Sequence, residues 1–153
     1  MARAFVGIGV EAGLVPRFQV GEPWWWIMPD GRPCLYDAAA VAAFAPEPVP
    51  SVRGTLSEVR KATLDRAGGC LAASTAALVG AVKERAPGCV THLLAFLPTV
   101  LDPAAPEMRR ANLPVGWAAP AFDVLQLEDY DWVTAGDTGA SRDGRAVAEV
   151  RLG

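Results

Sequence analysis

The chain has 153 residues, enough for one hydrophobic core and too few for two ordinary domains. Apolar residues make up 52% and charged residues 20%, the composition of a well-buried globular unit and not of a disordered one. The formal charge of −3, with no basic stripe, gives no reason to expect nucleic acid as a partner; no run is apolar for long enough to span a bilayer and no signal peptide precedes the first element, so the expectation is a soluble chain made in the cytoplasm.

In chain order, Phe5, Ile8, Val10 and Leu14 fall at helical spacing, predicting a first helix over Arg3 to Gly13 with Gly13 as its C-terminal stop. Arg17 to Glu22 is short, rich in strand formers and closed by Pro23, which predicts the first strand. Trp24 to Pro33 holds three consecutive tryptophans and the turn signal Pro29-Asp30-Gly31, so it reads as a loop. A short Ala-rich helix follows, with Asp37 near its start and Phe44 near its end. Pro46, Pro48 and Pro50 make Ala45 to Gly54 an extended connector. Thr55-Leu56-Ser57-Glu58 matches a capping box and opens a long helix to about Ala86, ended by Pro87-Gly88, in which Gly68-Gly69 marks a bend or a close packing contact.

Cys89 to Leu97 is an apolar strand-like run, Pro103 to Ala111 a short helix, and Phe122 to Glu128 a third strand. Ser141 is placed to cap a last helix running through Leu152. Strands alternating with helices predict an α/β fold with a parallel sheet covered on both faces. Three strands do not close a (β/α)8 barrel, so the chain is either an open three-stranded domain or part of a barrel. The second is preferred: one partial barrel domain over residues 1–153, truncated at both ends.

Two carboxylates stand out by position. Glu22 and Glu128 lie at the C-terminal ends of the first and third strands, the edge where parallel α/β folds gather their sites. Glycoside hydrolysis needs two carboxyl groups flanking one bond, so these are the candidate catalytic pair. Trp24, Trp25 and Trp26 follow the first, and Asp129, Tyr130, Asp131 and Trp132 follow the second, as candidate sugar-binding residues. Flat rings suit the C–H faces of sugars, and carboxylates accept from their hydroxyls. Strict alternation from Gln19 sends Glu22 away from the barrel interior unless the chain bends at Gly21. His92, at the start of its strand, is expected on the opposite edge with a stability role. Cys34, Cys70 and Cys89 are odd in number and widely spaced, which predicts free thiols; no metal site, cofactor motif or phosphate loop is expected.

The blocks Phe18-Gln19-Val20-Gly21-Glu22-Pro23-Trp24-Trp25-Trp26, Leu97-Pro98-Thr99-Val100-Leu101-Asp102-Pro103 and Gln126-Leu127-Glu128-Asp129-Tyr130-Asp131-Trp132-Val133 resemble the TIM-barrel domain of non-contractile tail sheath proteins of alphaproteobacterial prophages and gene-transfer-agent-like particles. The resemblance spans nearly the whole chain. It implies a virion tail component, a glycoside-hydrolase-like barrel within a longer polypeptide, and other tail subunits as partners. More distantly, Gly21-Glu22-Pro23 is similar to the Asn-Glu-Pro acid/base motif of barrel glycosidases, with Gly21 in place of the Asn. Three functional readings follow: a structural tail barrel that contacts cell-envelope glycan, an active glycosidase using Glu22 and Glu128, and an interaction domain whose aromatics are all core.

Overall fold

A computed structural model describes residues 1–152. Seven helices and three strands follow one another as α1 Ala2–Glu11, β1 Arg17–Val20, α2 Ala38–Phe44, α3 Glu58–Arg85, β2 Val90–Phe96, α4 Leu97–Val100, α5 Arg109–Asn112, β3 Val124–Glu128, α6 Tyr130–Thr134 and α7 Thr138–Leu152. The strands form one open sheet in the order β1-β2-β3, all parallel, with Val20 level with Leu93 and Phe96 level with Glu128.

Local signals explain most element ends. Gly13 takes φ 71 and donates to the Val10 carbonyl while Leu14 donates to that of Gly9, the paired reverse bonds that close a helix at a left-handed glycine. Asp37 caps α2 by accepting from the amides of Ala39 and Ala40. The expected capping box does not form: α3 begins at Glu58, after Ser57, and Glu58 instead pairs with Lys61 at 2.9 Å. Thr55 is left three residues before the helix start. The last helix also starts earlier than expected. Asp137 accepts from the Ala140 amide, and Ser141, inside α7, turns its hydroxyl to Asp129.

Pleating divides the sheet into two unlike faces. Phe18, Val20, Leu93, Ala95 and Leu127 share one face and join Leu97, Val100, Leu113, Trp117, Ala148 and Leu152 in the main core. The other face, with Gln19, His92, Leu94, Phe96, Gln126 and Glu128, contributes nothing to any apolar cluster among the described residues. The expectation of two covered faces is therefore corrected: helices pack on one face only. A sheet curling toward a barrel has its helices outside and reserves its inner face for side chains from opposing strands. His92 belongs to this open face and is the third residue of β2, in the half of the strand away from the C-terminal edge.

A second core lies beneath the long connection after β1. Leu35, Val49, Val52 and Leu56 pack on Leu64 and Ala67 of α3 and on Met108 and Ala111. The proline-rich connector is thus anchored, with Val49 and Val52 buried. A third, smaller cluster joins Val6 of α1 to Val82 of α3 and to Ala86 and Cys89.

Candidate functional site

The C-terminal edge of the sheet carries a row of rings contributed by all three strand ends. Trp26 and Trp24 have ring centroids 6.2 Å apart, Trp24 and Phe96 are 6.3 Å apart, and Phe96 stacks on Tyr130 at 4.9 Å with planes inclined 28°. These spacings lie within the range of favourable aromatic pairing. Phe96 pairs in register with Glu128, so the Glu128 side chain rises from the sheet beside the Phe96 ring on the same face. Trp26 and Tyr130, the two ends of the row, are 63% and 56% exposed. Phe96 was missing from the sequence-based candidates. It was legible there as the last but one residue of the apolar run Cys89 to Leu97, on the same pleat as Leu94.

Glu22 lies two residues beyond β1, with φ 53 and immediately before Pro23. Positive φ is uncommon for a residue with a side chain, and the following proline further disfavours helical backbone. Its carbonyl accepts from the Trp24 amide at 3.0 Å, closing a tight turn around Pro23. A bend is thus made at Glu22 itself, next to the Gly21 at which one would release it, and alternation stops constraining the side chain after Val20. Glu22 is exposed and Glu128 half-buried.

The other candidates separate from the row. Trp25 faces the second core: its ring meets Phe44 edge-on at 5.9 Å, its indole N–H donates to the Ala67 carbonyl, and its backbone is clamped by Asn112. Trp132 packs into the main core beneath α7, where Gly144 leaves room for it: a Cβ on Gly144 would stand 2.6 Å from the indole. A groove of about 330 Å³ lined by Leu101, Pro103, Trp132, Gly144 and Val147 opens beside that ring and includes neither glutamate. Asp129, 5% exposed, accepts both arms of the Arg145 guanidinium at 2.9 and 3.0 Å and the Ser141 hydroxyl. The Arg145 bonds, then that of Ser141, hold its carboxyl below the usual range. Asp129 therefore ties α7 to the end of β3, while Asp131, in the first turn of α6, remains exposed.

Among the described residues no cluster of His, Cys, Asp or Glu is arranged to hold a metal ion, and no helix is long and apolar enough to cross a membrane. Neither a curated protein nor a solved structure matches the chain. The family model for the non-contractile tail sheath protein TIM barrel matches residues 1–153. Three parallel strands with their helices on one face agree with that match, and the family is one of virion tail components that work among other tail subunits. This chain belongs to the non-contractile tail sheath protein TIM barrel family.

Proposed function

We propose that this barrel domain is a structural part of a virion tail of the prophage or gene-transfer-agent type, and that the C-terminal edge of its sheet contacts glycan of the cell envelope. The observation that carries the reading is the row Trp26, Trp24, Phe96, Tyr130 with Glu128 beside it. Rings left in water at both ends of a row forgo burial that a folded chain ordinarily gains, and a stacked sugar restores it. Glu128 supplies an acceptor for hydroxyl groups at the same place. Titrating the protein with envelope oligosaccharides while following tryptophan emission tests this. Saturable quenching, lost in Trp26→Ala and Tyr130→Ala with the fold intact, supports the contact; unchanged emission removes it.

The same chain is read as one portion of a barrel completed by further strands. Among the described residues both sheet edges are unpaired, and apolar grooves of about 300 Å³ and 210 Å³ lie near the start of β1 and beside β3, one lined by Phe5, Ile8 and Leu14, the other by Trp117, Phe122 and Leu125. On the open face, His92 Nε2 and Gln126 Oε1 are buried without a hydrogen-bond partner, a state that strands across a closed barrel would relieve. Exposed edges of this kind promote association, so the isolated chain should self-associate in sedimentation and melt broadly. A sharp, reversible melt of a monomer would count against the partial barrel.

A second reading, hydrolysis of the bound glycan, is favoured by the backbone of Glu22. Strained φ at a residue with a charged side chain clusters at functional sites. In this reading Glu22 is the acid/base and Glu128 the partner carboxylate. Comparing the parent with Glu22→Gln and Glu128→Gln on envelope glycan decides it, since each swap keeps shape and removes the acid or the anion. Sugar release that falls in both variants while binding persists supports hydrolysis. No release by the parent leaves the structural contact alone.

A further inference from the structure

The strand ends collect negative charge far beyond the chain's average. The three connections that leave them, residues 21–37, 97–105 and 129–137, hold seven carboxylates and one cation, Arg32, which is itself bound by Asp30 at 2.6 Å; Glu128 adds an eighth carboxylate. The remainder of the chain has nine acids against thirteen bases, an excess of positive charge. The net charge of −3 therefore conceals a polar molecule with a strongly acidic edge. Three of these carboxylates belong to residues next to the ring row, one by register and two by sequence. Glu22 turns the backbone into Trp24, Glu128 stands opposite Phe96, and Asp131 follows Tyr130. None of the three makes an ion pair among the described residues, whereas Asp129 is already matched by Arg145.

We infer that the ring row selects saccharides by charge, taking sugars that carry free ammonium groups ahead of neutral ones and excluding anionic glycans. This rests on the glycan-contact reading above and specifies its ligand class. The rings supply affinity for any sugar face, because stacking is indifferent to the substituents at the rim. The carboxylates then decide among substituents. An ammonium gains Coulomb energy from Glu22, Glu128 and Asp131, a hydroxyl gains only a hydrogen bond, and a uronate is repelled by all three. Glu22 and Asp131 are exposed and Glu128 is half-buried, so each contact has the modest value of a solvated ion pair and is screened by salt.

The test titrates the full chain, at about pH 6 and low salt, with hexamers of glucosamine, N-acetylglucosamine and galacturonic acid, reading tryptophan emission. The glucosamine hexamer should bind about fivefold more tightly than the N-acetylated one, with no saturable signal from the uronate. Near 1 M salt that preference should collapse to about one while neutral binding persists. Glu128→Gln and Asp131→Asn should each reduce the preference, with far-UV circular dichroism confirming the fold; Trp26→Ala should weaken all binding. Equal binding of the amino and N-acetyl hexamers, or binding of the uronate, overturns the charge selection and leaves the glycan contact standing. Silence from all three hexamers overturns the glycan contact and the selection with it.

Discussion

Gly68 of α3 lies directly against the main-chain carbonyl of Arg110: a Cβ added at Gly68 would overlap that oxygen and press on the ring of Pro114 at 3.3 Å. Its neighbour Gly69 faces open space. Backbone cannot move aside as a flexible side chain can, so α3 and α5 would have to separate. Gly68→Ala should destabilise the fold by about 3 kcal/mol. Gly69→Ala should stabilise it by up to about 1 kcal/mol, through helix propensity and a less mobile unfolded chain. Thermal melts of the two variants check the opposite signs.

Asn112 is fully buried and clamps Trp25 at two points, accepting from its amide at 2.8 Å and donating to its carbonyl at 3.1 Å. The side chain acts as a substitute strand for a loop that has no ladder partner there. Asn112→Ala strands both main-chain groups, at a cost of about 1–3 kcal/mol for each one left without water. The loop carrying the ring row should loosen as well. Amide exchange at Trp25 should quicken more than exchange in β2, and equal protection in the two places would contradict the clamp.

Asp123 and Asp129 contribute to the acid sensitivity of the fold. Asp123 accepts from Lys83 Nζ at 2.6 Å and from the amide and hydroxyl of Thr91, and these bonds, that of Lys83 foremost, hold its carboxyl far below the usual range. Asp129 is lowered by Arg145 and Ser141. A carboxyl lowered by folding contributes fully above its unfolded value, near 3.9, and loses that contribution as pH falls through the folded one. Stability should therefore be level above about pH 5 and decline below about pH 4. Asp123→Asn and Asp129→Asn should each be less stable near neutrality and have a shallower acid limb.

The order of elements was legible in the sequence because it rests on local chemistry. Gly13, Asp37, Pro23 and Pro98 punctuate the chain by rules that need no knowledge of the fold. The capping box at Thr55 did not form although its pattern was present: α3 begins after Ser57, whose side chain makes no capping hydrogen bond. What could not be read was partnership across long separations. Nothing near Asp129 announces Arg145, and nothing near Trp25 announces Asn112, so two members of one candidate list proved to be structural anchors. Phe96 and the acidic edge required knowing which residues end strands, after which register and simple counting revealed them.

The three adjacent tryptophans should respond to substitution in three different ways, because successive residues of this loop face different surroundings. Trp25 fills the second core and donates to Ala67, so Trp25→Ala should cost about 3 kcal/mol and unsettle the loop. Trp24 bridges the main core and Phe96, so Trp24→Ala should lower stability and break the row at its centre. Trp26 is 63% exposed and touches the row at its end, so Trp26→Ala should shift stability by no more than about 0.5 kcal/mol. Acrylamide quenching of variants that each lack one of the three should rank Trp26 as the most accessible. In the sugar titration, Trp26→Ala should lose most of its affinity while melting like the parent. Such a loss in an otherwise unchanged fold distinguishes a surface that meets a ligand from one that merely packs. A Trp26→Ala protein that binds as well as the parent, or melts several degrees lower, would return Trp26 to a purely structural role.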